Sequence, residues 1–161
     1  MLKAHMRAPE FVLQNDEGQD TSLSDLLQEG PLVLYFYPAD FTPGCTREAC
    51  AIRDIHQELA AVGLRVAGIS PQDPESHARF RQTHKLPFTL LSDPDKIAIK
   101  MYGVDGPLGI GVRRATFLIG QDRTISDAVL ADVRIGRHEE FIRKAIILRE
   151  TAGMRVRPDR E

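Results

Sequence analysis

Leu32-Val33-Leu34-Tyr35-Phe36-Tyr37-Pro38-Ala39-Asp40-Phe41-Thr42-Pro43-Gly44-Cys45 leads a core strand into a thiol at the start of a helix. Its first six residues are continuously apolar or aromatic, rich in strand formers, and stopped by Pro38, which reads as a buried β-strand. Beyond Pro43 and Gly44, the residues Ala49, Ile52, Ile55 and Leu59 recur at spacings of three and four, the mark of one apolar helical face. A helix therefore begins close to Cys45. Unpaired backbone N–H groups and the macrodipole at such an end favour an anion, and the thiolate is the nucleophilic form of cysteine. Cys45 is thus the candidate nucleophile.

Working outward, residues 64–69 read as a second core strand, and Asp73-Pro74-Glu75 supplies an N-cap, a first-turn proline and an acidic first turn for the next helix. Residues 88–91 form a short strand, and Ser92-Asp93-Pro94 opens a helix expected to reach Tyr102 and stop at Gly103. The glycine-rich stretch 104–112 is a loop; Gly109-Ile110-Gly111 lacks the third glycine of a nucleotide loop and is a turn. Residues 114–119 and 125–130 flank a turn and form a hairpin. Phe141, Ile142, Ala145, Ile146 and Arg149 mark a last helix, followed by a polar tail, 151–161, expected to be frayed. The class is α/β, a central mixed sheet flanked by helices. Several folds share this alternation, the thioredoxin-like fold among them. With 161 residues, one domain over 1–161 is the expectation.

Composition narrows the chemistry. A net charge of −2 gives no general field for nucleic acid or an anionic membrane. No apolar run approaches the roughly 20 residues of a membrane-spanning helix, and residues 1–9 hold no apolar stretch of signal-peptide length, so a cytoplasmic address is expected. Two cysteines are too few for a disulfide scaffold in a chain of this size, which points to chemical use. For a thiol attacking a peroxide, Thr42 is placed to donate a hydroxyl to the oxygen on which charge grows, and Pro38 to shield the sulfur from bulk water. A guanidinium would complete the set, though local spacing does not identify which.

The strand 34–38 with Thr42-Pro43-Gly44-Cys45-Thr46 and the following Cys50 closely resembles the peroxiredoxin family, and the five-residue interval between the cysteines resembles its peroxiredoxin Q, or bacterioferritin comigratory protein, branch. The resemblance runs through Gly68-Ile69-Ser70, residues 88–93 and 114–119, covering about residues 8 to 150. It implies a thioredoxin-like fold and a peroxidase that reduces hydroperoxides through a Cys45 sulfenic acid. It further implies Cys50 as the resolving thiol, Arg114 as the catalytic arginine and Glu48 as a group that orients the arginine; strand alternation puts the neighbouring Arg113 on the opposite side of the sheet. Thioredoxin, glutaredoxin or a small thiol would be the reductant, and the chain a monomer or weak homodimer. No cofactor is implied. The alternative is a redox-active binding or metal-carrier module without peroxide turnover.

On an intact helix, residues five apart have Cα atoms roughly 8.6 Å apart. A disulfide normally needs them within about 7 Å, so bridging Cys45 and Cys50 requires the first turns of the helix to unwind. Cys45, Cys50 and His56 fit a metal site poorly, because structural zinc needs four ligands with close cysteine pairs. His56 is expected to be exposed on its helix, and His5, His77, His84 and His138 to be solvated, since no partner stands near them in sequence.

Overall fold

The computed structural model describes residues 1–155. Its centre is the strand β3 (Leu32–Phe36), buried along its whole length. Alternation decides what each residue touches: Leu32, Leu34 and Phe36 enter one hydrophobic cluster, and Val33, Tyr35 and Tyr37 enter the other on the opposite face. A strand buried on both faces needs neighbours on both edges, and β3 has them. It pairs in parallel with β4 (Arg65–Ser70) and antiparallel with β6 (Ala115–Ile119).

With β1 at Val12–Asn15, β2 at Asp20–Ser22, β5 at Thr89–Ser92 and β7 at Ile125–Leu130, the sheet has seven strands in the order β2-β1-β5-β4-β3-β6-β7, mixed in direction, which is the expected thioredoxin-like arrangement with helices against it. Helices α2 (Pro43–Asp54), α4 (Pro74–His84) and α6 (Gly136–Arg155) contribute Ala49, Ile52, Phe80, Ile142 and Ile146 to the cluster containing Tyr35. Helices α1 (Leu23–Leu26) and α5 (Ile97–Met101) feed the other.

Several boundaries differ from the sequence reading. The pattern read from Pro31 onward omits β1 (Val12–Asn15), β2 (Asp20–Ser22) and α1. These are too short to show a period; α1 is nucleated by a capping box in which Ser22 Oγ accepts from the Asp25 N–H and Asp25 accepts from the Ser22 N–H. The apolar face running to Leu59 is shared by two helices, because the chain breaks at Ile55 and restarts as α3 (His56–Ala61). Helix α5 begins at Ile97, later than the expected opening at 92–94. Asp93 still serves as its cap from a distance, accepting from the N–H groups of Ile97 at 2.7 Å and Ile99 at 2.9 Å across the turn at Lys96. The last helix continues to Arg155, so residues 151–155 are helical; the rest of the expected frayed tail lies outside the described residues. Among the described residues no helix is long and apolar enough to cross a membrane.

Gly68 of β4 stands beside Tyr35 of β3 in register, and its missing side chain leaves room for the Tyr35 ring. A Cβ at Gly68 would lie 2.8 Å from the Tyr35 ring, which is fully buried and has nowhere to retreat. Gly68→Ala is therefore expected to cost about 1–3 kcal/mol in urea unfolding, and an unchanged midpoint would contradict this packing.

Candidate active site

Thr42 is the N-cap of α2 and Pro43 its first residue, which puts Cys45 in the first turn. Proline suits this position because its missing N–H would be unpaired there anyway. The Thr42 carbonyl accepts the N–H of Thr46 at 2.9 Å, so the turn beneath the sulfur is closed. Cys45 is only 2% exposed, and a partner reaches it from the sheet. Because Phe36 faces Ala115 across the antiparallel pair, the next step outward sets Arg114 level with Tyr37 at the strand end facing α2. Arg114 Nη2 donates to Cys45 Sγ at 3.2 Å.

The same guanidinium donates through Nη1 to Glu48, one turn along α2 from Cys45. A Cβ at Gly44 would fall 3.2 Å from Arg114 Nη2 and 3.0 Å from Ile135 Cδ1, so the absent side chain leaves the corridor through which the arginine reaches the sulfur. Asp132 fixes the arginine's backbone by accepting its N–H at 2.9 Å, and takes the Arg113 guanidinium at 2.7 Å on the exposed side. The two arginines thus point apart, as strand alternation predicts.

Burial and charge compete in this cluster. Burial works against the Arg114 cation, but Glu48 and the Cys45 sulfur outweigh it and hold the guanidinium above its ordinary value. Glu48 is buried more deeply, and among the described residues its Oε1 has no hydrogen-bond partner. Burial pushes its carboxyl up to about 7 from an ordinary 4.5, with Arg114 opposing.

The remaining sequence candidates fall nearby with differences. The Thr42 hydroxyl spends its proton on the Ala39 carbonyl at 2.8 Å, so in this conformation it offers lone pairs to a substrate in place of the expected donated hydrogen. Pro38 is half-buried at the end of β3, its carbonyl accepting from Gln72 Nε2. Cys50 lies on the same helix as Cys45, partly exposed, and both thiols are free.

The histidines need correction. His56 is half-buried, not exposed, and burial lowers its basicity. His77 and His138 are fully buried instead of solvated. His138 donates from Nε2 to the Ala131 carbonyl, meets Thr116 Oγ1 at 2.9 Å through Nδ1, and stands 3.8 Å from Glu48. Burial lowers its basicity. Its partner Thr116 lies 22 residues away, which is why local sequence did not reveal it. Ile135 was missed for a similar reason, since only the fold brings it over Gly44. Among the described residues no group of three or more His, Cys, Asp or Glu could hold a metal ion.

The AhpC/TSA family model matches residues 5–128. A Coxiella burnetii bcp protein is 43% identical over 143 residues, covering 85% of this chain and 93% of its own length. A chloroplastic peroxiredoxin Q of Gentiana triflora is 41% identical over 118 residues, 73% of this chain; this chain spans only 54% of that plant protein. Among solved structures, peroxidoxin BcpB from Mycobacterium tuberculosis superposes with a TM-score of 0.85 at 34% identity, over 98% of this chain and all of the other.

The Glu48 carboxyl has a consequence for stability. Between 4.5 and about 7 the folded chain keeps a proton that the unfolded chain has released, so its stabilising contribution is complete below 4.5 and is lost as pH rises through about 7. Wild-type stability from urea titrations is expected to fall across that window, and Glu48→Gln to flatten the slope. Equal slopes in the two proteins would contradict the assignment.

Proposed function

The chain belongs to the AhpC/TSA family, to which the peroxiredoxins belong, and from that premise we propose that it is a thiol peroxidase using Cys45 as its nucleophile. The observation that carries this reading is the 3.2 Å approach of Arg114 Nη2 to Cys45 Sγ in the first turn of α2. A permanent cation and the N-terminal end of a helix both favour negative charge on that sulfur, and a thiolate is what attacks a peroxide.

The sulfur attacks the terminal oxygen of ROOH and the O–O bond breaks. The electron pair leaves on the RO oxygen, which takes up a proton and departs as ROH, while Cys45 keeps the OH as sulfenic acid. The guanidinium serves both ends of this step. It faces the sulfur before attack and can donate to the oxygen on which charge develops, as an oxyanion site does. Thr42, its proton already given to Ala39, can accept the peroxide's own hydrogen and fix its orientation, while Pro38 and Ile135 limit water.

Cys50 then displaces the hydroxyl from Cys45; an S–S bond forms and water leaves. Both residues lie on one continuous helix, so the first turns of α2 must unwind to bring their Cα atoms within bonding range. An external dithiol returns the bridge to two thiols through a mixed disulfide. Thioredoxin is the reductant that the peroxiredoxin Q likeness favours, and hydrogen peroxide and small organic hydroperoxides are the substrates.

Peroxide consumption in the presence of reduced thioredoxin tests the reading. Wild type is expected to turn over, Cys45→Ser to give only background, and Cys50→Ser to accumulate sulfenic acid on Cys45 without an internal bridge. Background rates from wild type would leave a redox-binding module as the surviving reading. Amide exchange across residues 45–57 checks the motion: faster exchange in the disulfide form is expected, and equal protection in both forms would contradict unwinding.

A further inference from the structure

The loop that delivers Thr42 and Cys45 is anchored at Asp40. Its side chain is 1% exposed and accepts from the Tyr37 hydroxyl at 2.6 Å, the Ser76 hydroxyl at 2.8 Å and His77 Nδ1 at 2.7 Å. His77 is itself completely buried, and its other nitrogen faces the Leu91 carbonyl at 3.0 Å. Both partners of the ring, a carboxylate and a backbone carbonyl, are acceptors, so His77 ties Asp40 on one side to β5 on the other. Burial alone would raise the Asp40 carboxyl, but His77 and the hydroxyls of Tyr37 and Ser76 outweigh it and hold it below its ordinary value.

A second tie grips the same few residues. Gln72 Oε1 accepts the Asp40 N–H at 3.1 Å, and Gln72 Nε2 donates to the Pro38 carbonyl at 3.2 Å. Immediately after this doubly held aspartate, Phe41 adopts φ +61, a left-handed conformation that an aromatic residue rarely enters. Such a turn persists only when its surroundings over-determine it, and it is the turn that places Thr42 as the N-cap of α2.

We propose that His77 is a positioning residue for the Cys45 reaction: its buried pair with Asp40 locks the 38–42 loop onto α4 and β5 and so holds Thr42 and the start of α2 in the peroxide-ready arrangement. The inference rests on the peroxidase reading and assigns a role that neither the motif around Cys45 nor the arginine cluster contains. His77 contacts neither thiol in the described hydrogen-bond network; it acts through the loop. Because the disulfide requires α2 to unwind beside this same loop, the pair opposes closure while it favours attack.

Two rates in the full-length chain separate this role from simple structural support: Cys45 oxidation by hydrogen peroxide, and subsequent Cys45–Cys50 closure, each followed by quenching and mass. His77→Gln is expected to slow oxidation about tenfold, as small displacements of a reacting group do, while closure becomes faster. Oxidation within about twofold of wild type, with only the unfolding midpoint lowered, would overturn the proposal. Should His77→Gln not fold, Tyr37→Phe removes one Asp40 tie and keeps the His77 contact; it should slow oxidation and speed closure by about threefold each, and no shift would count against the lock. If wild type itself leaves peroxide untouched, the failure belongs to the peroxidase reading, and amide exchange of residues 40–45 in His77→Gln still reports on the lock. Faster exchange than in wild type would uphold it, and equal exchange would overturn it.

Discussion

A guanidinium cannot be buried without acceptors, and in this protein the acceptors for Arg114 are a sulfur and a carboxylate on one face of one helix. Much of the surrounding architecture serves that constraint. The antiparallel pairing of β3 with β6 carries the arginine to the strand end beside α2. The three- and four-residue spacing of α2 puts Cys45 and Glu48 on its buried side together with Ala49 and Ile52. Gly44 leaves the gap the arginine passes through, and Asp132 pins its backbone.

The cluster is not fully satisfied. Among the described residues, Arg114 Nε and Glu48 Oε1 lack hydrogen-bond partners, and the buried His138 stands beside them as a weakly basic ring. Buried polar groups with spare capacity are costly, and they are often retained where charge must be rearranged during a reaction. On the other side of the loop the arrangement differs. Asp40 is held by Tyr37, Ser76 and His77, and His77 also reaches the Leu91 carbonyl; among the described residues none of these buried side-chain atoms lacks a partner, which suits the network to holding the loop still while the arginine side changes charge.

The readable part of this design is local. Six apolar residues ended by Pro38 announce β3, and Pro43-Gly44-Cys45 announces a helix start, because strand burial and helix nucleation depend on near neighbours. Arg114 is different. It is 69 residues from the sulfur it touches, and only resemblance to a family pointed to it. His77, 37 residues from Asp40, and His138, 22 from Thr116, looked solvated because their partners belong to other elements. The β1–β2 hairpin escaped because strands of four and three residues carry too little alternation to register, and α5 started late because Asp93 caps across a turn instead of at the helix itself.

The account depends on the guanidinium making the sulfur reactive, so the most direct measurement is the rate at which hydrogen peroxide oxidises Cys45 in wild type and in Arg114→Met, with folding of both confirmed by unfolding midpoint. The expected result is a fall of about 10² to 10³ in the variant, the scale seen when one donor to a developing negative charge is removed. An unchanged rate in a folded Arg114→Met protein would contradict it.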